Sequence, residues 1–259
     1  MKKILIYRDY GQIPDSVNYL KIWLESIFSK TYSIEFTDAT SIIKLNALDN
    51  NVAALFMPGG FSKGFYEKLK GQGNNIIKKF IYNGGLYYGI CAGAYYACTH
   101  IQFNAKNYQI TSTDTLGLVP TVALGSIKEL CFNNLYNNDA LSSNACSLKL
   151  NNGMLHNCFY SGGPVFLNNN LESLATYNTL HGQQNAAVSY NYNKGKLILI
   201  ATHPEFNDIE IKDYAIHSAK KASEAKHLKS ISRKLRLSKV HKTKEIFDSL
   251  ILKDLLKHP

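Results

Sequence analysis

The chain has 259 residues and a formal net charge of +10, and 45% of its residues are hydrophobic, which is enough for a substantial buried core. No apolar run approaches the roughly 20 residues that cross a bilayer, and the run after Met1 is too short for a signal peptide. Because the five cysteines are scattered without close paired spacing, we expect reduced thiols and a cytoplasmic location.

Strand and helix patterns alternate through the first hundred residues. Short apolar runs predict strands at residues 3–7, 33–36, 52–57 and 86–90. Apolar side chains at helical spacing predict helices at residues 17–28, from residue 40 and around residues 76–81, the last preceded by a polar loop after Gly60. The continuous run at 52–57 is typical of a strand buried on both faces. The alternation predicts an α/β fold with a doubly wound, mostly parallel sheet, in which ligands bind at the carboxyl ends of the strands.

The pattern changes between Tyr108 and Tyr192, where short β-prone pieces alternate with turns rich in Asn and Gly. We expect antiparallel hairpin insertions with strands near residues 108–111, 116–122, 158–160 and 186–192. Residues 196–201 then restore a buried strand, and the pattern beyond about Tyr214 is helical. The chain is therefore predicted to consist of a domain at residues 1–215 and a basic helical C-terminal extension at residues 216–259.

The positive charge is concentrated in that extension. Residues 210–259 hold 13 of the 29 Lys and Arg residues, and ten basic residues between Lys220 and Lys244 accompany one acidic residue, Glu224. Such a segment can attract nucleic acid, an anionic membrane surface or an acidic partner. Because the chain has three arginines and residues 220–244 have no aromatic side chain, we favour a solvated helical surface over nucleic-acid contact.

Residues 89–94, with the sequence GICAGA, lie between a predicted strand and a predicted helix. A side chain at such a sharp turn needs small neighbours, which Gly89, Gly93 and Ala94 supply. The helix N-terminus also favours a thiolate over a thiol. Cys91 is thus a candidate nucleophile; the alternative is a buried cysteine in a turn that only allows close helix packing.

A nucleophilic cysteine needs a base and a third group that orients the base. His203 and Glu205 directly follow the predicted strand at residues 196–201, so they belong at the same sheet edge as Cys91. A polar loop histidine is the alternative for His203. Its position at a strand end, with a carboxylate two residues later, favours the catalytic interpretation.

Two glycine-containing loops can complete a site around Cys91. Backbone amides after the strand at residues 52–57 can converge on an anionic oxygen together with the amide after Cys91. The turn at residues 161–163 can line the pocket opposite Cys91 or can simply close a hairpin. The candidate oxyanion and substrate-binding residues are Gly59, Gly60, Ala92, Ser161, Gly162 and Gly163.

Taken together, these motifs resemble the class I glutamine amidotransferase-like superfamily, with its Gly-Gly loop, Gly-x-Cys-x-Gly elbow and His-Pro-Glu after the last sheet strand. The sequence YGICAGAYYA at residues 88–97 looks more specifically like the elbow of the amidotransferase-like domain found at the N-terminus of eukaryotic biotin-protein ligases and in standalone bacterial proteins. LGLVP at residues 116–120, YSGGP at 160–164 and GK at 195–196 match as well. The resemblance covers roughly residues 3–206.

The resemblance implies a flavodoxin-like fold and a triad of Cys91, His203 and Glu205. It does not imply biotin ligation, because the arginine- and glycine-rich loop of the ligase catalytic region has no counterpart in this sequence. In that family an acidic residue often follows the position of Phe103, where this chain has Asn104.

Two functions follow from the motifs. The first is a cysteine-dependent amidase, hydrolase or amidotransferase that acts on a small amide through a thioester, with a separate synthetase or ligase as partner if nitrogen is transferred. The alternative is a binding or regulatory module that keeps the elbow as a ligand pocket without turnover. A small-molecule substrate or ligand is expected in both cases, and no metal or organic cofactor is implied.

Overall fold

The computed structural model describes residues 1–131, 134–168, 170–182 and 184–257, and thirteen strands of this part of the chain form one sheet. The strands are β1 (Lys3–Tyr7), β2 (Ser33–Thr37), β3 (Val52–Met57), β4 (Leu86–Ile90), β5 (Cys98–Asn104), β6 (Gln109–Ser112), β7 (Val119–Gly125), β8 (Asn144–Leu150), β9 (Leu155–Tyr160), β10 (Val165–Phe166), β11 (Glu172–Tyr177), β12 (Asn185–Tyr192) and β13 (Gly195–Ile200). The helices are α1 (Pro14–Phe28), α2 (Ala39–Lys44), α3 (Ser62–Leu69), α4 (Gln72–Tyr82), α5 (Ala92–Ala97), α6 (Asp208–His217), α7 (Ala222–Val240), α8 (Thr243–Ile251) and α9 (Lys253–Leu256).

The parallel half of the sheet has the strand order β2-β1-β3-β4-β13, and each neighbouring pair in it is parallel. This is the flavodoxin-like order, in which the winding reverses between the first and third strands. Strands β1, β3, β4 and β13 are almost entirely buried, as expected for apolar runs covered on both faces. The predicted doubly wound, mostly parallel α/β fold is confirmed.

Beyond β13 the sheet continues through antiparallel strands. β12 pairs with β13 and β10, β10 pairs with β7, and β8, β9 and β11 form a branch on β12. The predicted antiparallel insertions are therefore present. One pair departs from the hairpin pattern, because β5 and β7 are parallel and β6 pairs with the other edge of β5.

The sequence-based prediction did not name strands β8, β10 and β11, and two further segments differ from it. The polar loop expected after Gly60 contains helix α3, which buries Phe65 and Leu69. These apolar residues are four positions apart in an otherwise polar segment, so they cover one face of a short helix. The helix after the elbow has six residues and is followed at once by β5, a strand that the sequence patterns did not indicate.

The C-terminal helices pack against the body of the protein. Helix α7 buries Leu228, Ile231 and Leu235 in a cluster that also contains Phe159 and Phe206. Helices α8 and α9 and the residue between them pack into the main core. Their buried side chains there are those of Phe247, Ile251, Leu252 and Leu255. Residues 216–257 thus share both hydrophobic clusters with the rest of the chain, and the boundary at residue 215 stays a prediction.

The opposite face of α7 is basic and exposed. Its charged side chains are Lys226, Lys229, Arg233, Lys234, Arg236 and Lys239. This separation of apolar and charged faces is that of an amphipathic surface helix. Among the residues that the structure describes, no helix is both long enough and apolar enough to cross a membrane.

If the C-terminal helices are part of the main core, Phe247→Ala should lower the free energy of unfolding by about 3–5 kcal/mol. The Phe247 ring is fully buried and stacks on His156 with ring centroids 4.6 Å apart. Leu256→Ala is the matched control, because Leu256 is 47% exposed and its truncation should change stability by less than about 1 kcal/mol. Denaturant unfolding of both variants measures the difference, and equal midpoints would contradict the placement of α8 in the core.

Candidate active site

The loops after β1 and β3 meet at the carboxyl edge of the sheet, where the winding reverses. Gln12 and Gly60 form an antiparallel bridge. Its hydrogen bonds run from the Ile13 amide to the Gly59 carbonyl, at 3.1 Å, and from the Phe61 amide to the Gly11 carbonyl, at 2.7 Å. Ligands of doubly wound sheets bind in the crevice at this switch point.

Cys91 follows β4 directly and has φ 47° and ψ −101°, a left-handed conformation that is costly for a residue with a side chain. Its amide donates to the Ile200 carbonyl over 2.8 Å, which ties the elbow to the end of β13. A Cβ on Gly93 would lie 2.1 Å from the Met57 carbonyl oxygen, and one on Gly89 would lie 2.6 Å from the Gly93 carbonyl oxygen. The small residues are thus needed for the turn, and the structure has the strained elbow that the sequence predicted.

His203 and Glu205 follow β13 and form a buried pair. The His203 Nδ1 atom is 2.8 Å from Glu205 Oε1, and the His203 amide donates to the Phe159 carbonyl over 2.8 Å. A carboxylate accepts, so Nδ1 carries a proton and the second ring nitrogen is available to another partner. The carboxylate therefore orients the imidazole, as a catalytic base requires.

The charge on the imidazole depends on its two ionisable neighbours. Burial by itself lowers the pKa of His203, but the Glu205 carboxylate and the Cys91 side chain, which also interacts with the ring, raise this pKa above the ordinary 6.5. These two neighbours therefore favour the protonated, imidazolium form of the ring. An imidazolium next to a cysteine favours the thiolate, the nucleophilic form.

Ser16 is a site residue that the sequence analysis missed. Its hydroxyl donates to Glu205 Oε1 over 2.7 Å and accepts from the Gly59 amide over 3.2 Å. Ser16 lies in the first turn of α1 and is 189 positions from Glu205, so no local motif connects the two. The β1 loop and its bridge to Gly60 bring this hydroxyl to the site.

The hydrogen bond from Gly59 to Ser16 changes the expected oxyanion hole. The Gly59 amide already has an acceptor, whereas the Gly60 and Ala92 amides donate to no other group within the described ranges. Gly60 has φ 148°, and a Cβ there would lie 1.9 Å from the Gly11 carbonyl oxygen. The amides left to hold an anionic oxygen are therefore those of Gly60 and Ala92.

The three residues of the turn at 161–163 have different surroundings. The Ser161 carbonyl oxygen lies 3.5 Å from Cys91 Sγ. The Gly162 carbonyl accepts from the Tyr95 hydroxyl over 3.0 Å, and a Cβ on Gly163 would lie 1.7 Å from the Ala201 carbonyl oxygen. Ser161 thus lies at the site, whereas Gly162 and Gly163 let the turn pass close to neighbouring chain segments and do not line the cavity.

A cavity of about 510 Å³ opens above Cys91, with Ser16, Gly60, Ser161 and His203 in its wall. Aromatic rings also line it, and they belong to Tyr136, Phe159, Phe206 and Tyr214. The segment after α6 completes the rim with Ser218, Ala219, Lys220 and Glu224. The C-terminal segment therefore belongs to the site, which the sequence patterns did not indicate.

A larger open groove of about 780 Å³ lies at the amino ends of β3, β4 and β13, at the opposite edge of the sheet. Its wall includes five asparagines and four lysines beside glycine and apolar residues, and none of its lining residues is a cysteine or histidine. We therefore place the chemistry in the smaller cavity. No three His, Cys, Asp or Glu residues within the described part of the chain are grouped so that they could hold a metal ion.

The fold is that of class I glutamine amidotransferase-like proteins. A glutamine amidotransferase from Thermotoga maritima superposes with a TM-score of 0.59 at 15% sequence identity, covering 99% of this chain and 96% of that one. A chain of the Thermotoga maritima PurLQS structure gives a TM-score of 0.55 at 14% identity, covering 90% of this chain and 99% of the other. At these identities the likeness shows the fold alone.

The model of the family "Biotin-protein ligase, N terminal" matches residues 2–256, so the chain belongs to that family. An uncharacterized protein of Chlamydia muridarum is 27% identical over 215 residues, covering 80% of this chain and 81% of the relative. The biotin-protein ligase of Schizosaccharomyces pombe is 24% identical over 185 residues, covering 68% of this chain. The match spans 29% of the length of that ligase.

We expect iodoacetamide to alkylate Cys91 before the other cysteines at neutral pH. Cys91 lines the cavity beside an imidazolium, whereas burial raises the pKa of the other four thiols, to about 11 for Cys131 and about 12 for Cys158. Peptide mass spectrometry after timed alkylation of the folded protein measures each rate. A Cys91 rate no higher than that of Cys98 would contradict an activated thiol.

Glu205→Gln should lower the pKa of His203. The substitution removes the carboxylate that helps to raise this pKa and leaves the burial that lowers it, so the imidazolium should lose its proton at a lower pH than in the wild type. NMR titration of the His203 imidazole measures the change. Glu245→Gln, at an exposed position on α8, is the control and should leave the titration unaltered.

Proposed function

We propose that this protein is a cysteine-dependent hydrolase of a small amide, with Cys91 as nucleophile, His203 as acid and base, and Glu205 as the group that orients His203. The observation that carries the proposal is the strained Cys91 elbow in the same cavity as the buried His203–Glu205 pair. The Gly60 and Ala92 amides beside it have no acceptor in the described chain, as donors for a developing oxyanion require.

In the first half of the reaction the Cys91 thiolate attacks the amide carbonyl carbon. The carbonyl oxygen takes the negative charge and accepts from the Gly60 and Ala92 amides. His203 gives its proton to the amide nitrogen, the C–N bond breaks, and ammonia or an amine leaves. The acyl group is then a thioester on Cys91, and the imidazole is neutral.

In the second half, water attacks the thioester carbonyl carbon and the neutral imidazole takes one proton of that water. The C–S bond breaks, the carboxylic acid leaves, and the thiolate–imidazolium pair is restored. Glu205 holds the ring through Nδ1 in both halves, so the second nitrogen carries the proton each time. The reaction needs no redox partner.

Transfer of the released ammonia to an acceptor is a further step that requires a synthetase or ligase activity. We propose a separate protein of this kind as partner if the substrate nitrogen is transferred rather than released. The family relation to the N-terminal part of biotin-protein ligases supports an association with such an activity. Biotin ligation itself is not part of the proposal.

The test is ammonia release from glutamine and a panel of small primary amides by the wild type, Cys91→Ala and Cys98→Ala. We expect Cys91→Ala to lower kcat by about 10³-fold or more, because the nucleophile is lost. Cys98→Ala should retain activity, since this thiol is buried and donates to the Ala94 carbonyl over 3.2 Å. Intact-mass analysis of the wild type under turnover should show the thioester.

A second outcome would favour a binding module. If amides raise the melting temperature of the wild type and Cys91→Ala equally, and neither protein forms product, the cavity binds without turnover. That result would overturn the hydrolase proposal.

A further inference from the structure

The Ser16 side chain hydrogen-bonds to two parts of the site, which also meet where the His203 ring lies against Gly59. It is 1% exposed and lies in the wall of the cavity above Cys91. One oxygen donates to the carboxylate of Glu205 and accepts from the amide of Gly59. Glu205 orients the base His203, and Gly59 is the neighbour of Gly60, the proposed oxyanion donor.

The position of this hydroxyl is set by the backbone. Ile13 is extended, Pro14 opens the helix, and Ser16 follows within the first turn of α1. The bond from the Ile13 amide to the Gly59 carbonyl holds this turn against the loop after β3. Ser16 therefore lies against Gly59 because the two loops pair at the switch point.

We propose that Ser16 is a positioning residue that fixes the Glu205 carboxylate and the Gly59–Gly60 loop in their positions relative to each other. This inference rests on the hydrolase function proposed above. Ser16 itself touches none of the reacting atoms in the proposed mechanism. It acts on His203 through Glu205, and on the oxyanion hole through the loop.

The Glu205 carboxylate is held in place by few hydrogen-bond donors. Glu205 Oε1 accepts from Ser16 and from His203, and Glu205 Oε2 has no hydrogen-bond partner in the described part of the chain. Without the hydroxyl, Glu205 would keep one donor and could rotate, and the Gly59 amide would lose its acceptor. A loosely held carboxylate stabilises the imidazolium less, so the Cys91 thiolate should also be less stable.

The surroundings of His203 allow the effect of Ser16 on the imidazolium to be measured. Glu205 and Cys91 are the ionisable groups that act on its ring, and the other rings against it are those of Phe159 and Phe206, at centroid distances of 5.8 and 5.7 Å. Neither aromatic ring titrates. The tyrosines that interact with Cys91 have pKa values raised by burial, so they stay neutral on the acid limb of its alkylation profile; they are Tyr95, Tyr136, Tyr160 and Tyr177. The acid limb therefore reports on the His203–Glu205 pair.

The experiment measures the rate of Cys91 alkylation by iodoacetamide against pH in the full-length protein. For Ser16→Ala we expect the acid limb to move to higher pH by about one unit, which is about a tenfold lower rate on that limb. Ser26→Ala is the matched control, because Ser26 lies on the same helix, is exposed and donates to the Trp23 carbonyl. Its profile should coincide with that of the wild type.

Ser16→Thr and Ser16→Val separate the hydroxyl from the shape of the side chain. Threonine and valine have nearly the same shape, but only threonine keeps the donor and acceptor. We expect the alkylation profile of Ser16→Thr to match that of the wild type, and the profile of Ser16→Val to show the same shift as Ser16→Ala. If Ser16→Ala does not fold, this pair carries the comparison.

Glu205→Gln provides a double-mutant cycle. If Ser16 acts on the thiolate through Glu205, Ser16→Ala should lower the alkylation rate in the wild type and change it little in the Glu205→Gln background. An equal loss in both backgrounds, or a Ser16→Ala profile identical to the wild type, would overturn the inference.

The two proposals fail in different ways. A wild-type Cys91 that alkylates no faster than Cys98 would remove the hydrolase proposal. A reactive wild-type Cys91 whose pH profile does not respond to Ser16→Ala would leave the hydrolase proposal intact and remove the role of Ser16. Alkylation needs no substrate, so the readout does not depend on which amide is turned over.

Discussion

The buried carboxylate of Glu205 is the group on which the site depends. A carboxylate that is 2% exposed is costly unless hydrogen bonds hold it, and here they come from His203 and Ser16. These donors lie on opposite sides of the switch point: His203 follows β13, and Ser16 lies in the first turn of the helix that follows β1. Satisfying one carboxylate therefore ties the last strand of the parallel sheet to the first.

The elbow adds a second constraint at the same edge. Cys91 keeps its left-handed backbone because Gly93 lets the start of α5 approach the end of β3, and the bond from the Cys91 amide to Ile200 fixes the elbow to β13. Backbone strain of this kind persists only where many surrounding contacts hold the strained conformation in place. The combination of strain, a buried ion pair and amides without acceptors favours chemistry over packing as its explanation.

The C-terminal helices connect stability with the site. Helices α8 and α9 fill part of the main core, and α7 packs over Phe159 and Phe206, two rings that also line the cavity. Lys220 and Glu224 reach its rim from the same region. The basic residues of α7 face solvent on the other side, so the segment has a structural face and a charged face.

The sequence by itself determined the parts of the protein that are local in the chain. Continuous apolar runs indicated β1, β3, β4 and β13, since a strand buried on both faces has no polar side, and the glycines around Cys91 indicated the elbow. The placement of His203 and Glu205 at strand ends followed from the same reasoning, because parallel strands end at one edge. Helix α3 and strand β5 are among the elements that were missed, because their apolar residues are too few to show a period.

Only the tertiary structure decided which distant groups meet. Ser16 has no local signal for its role, and its hydroxyl reaches Glu205 because two loops pair at Gln12 and Gly60. The same pairing commits the Gly59 amide to Ser16, whereas the Gly60 and Ala92 amides have no acceptor within the described ranges. Hydrogen bonds between segments far apart in the chain depend on distances that composition and spacing do not carry, and the fold alone sets those distances.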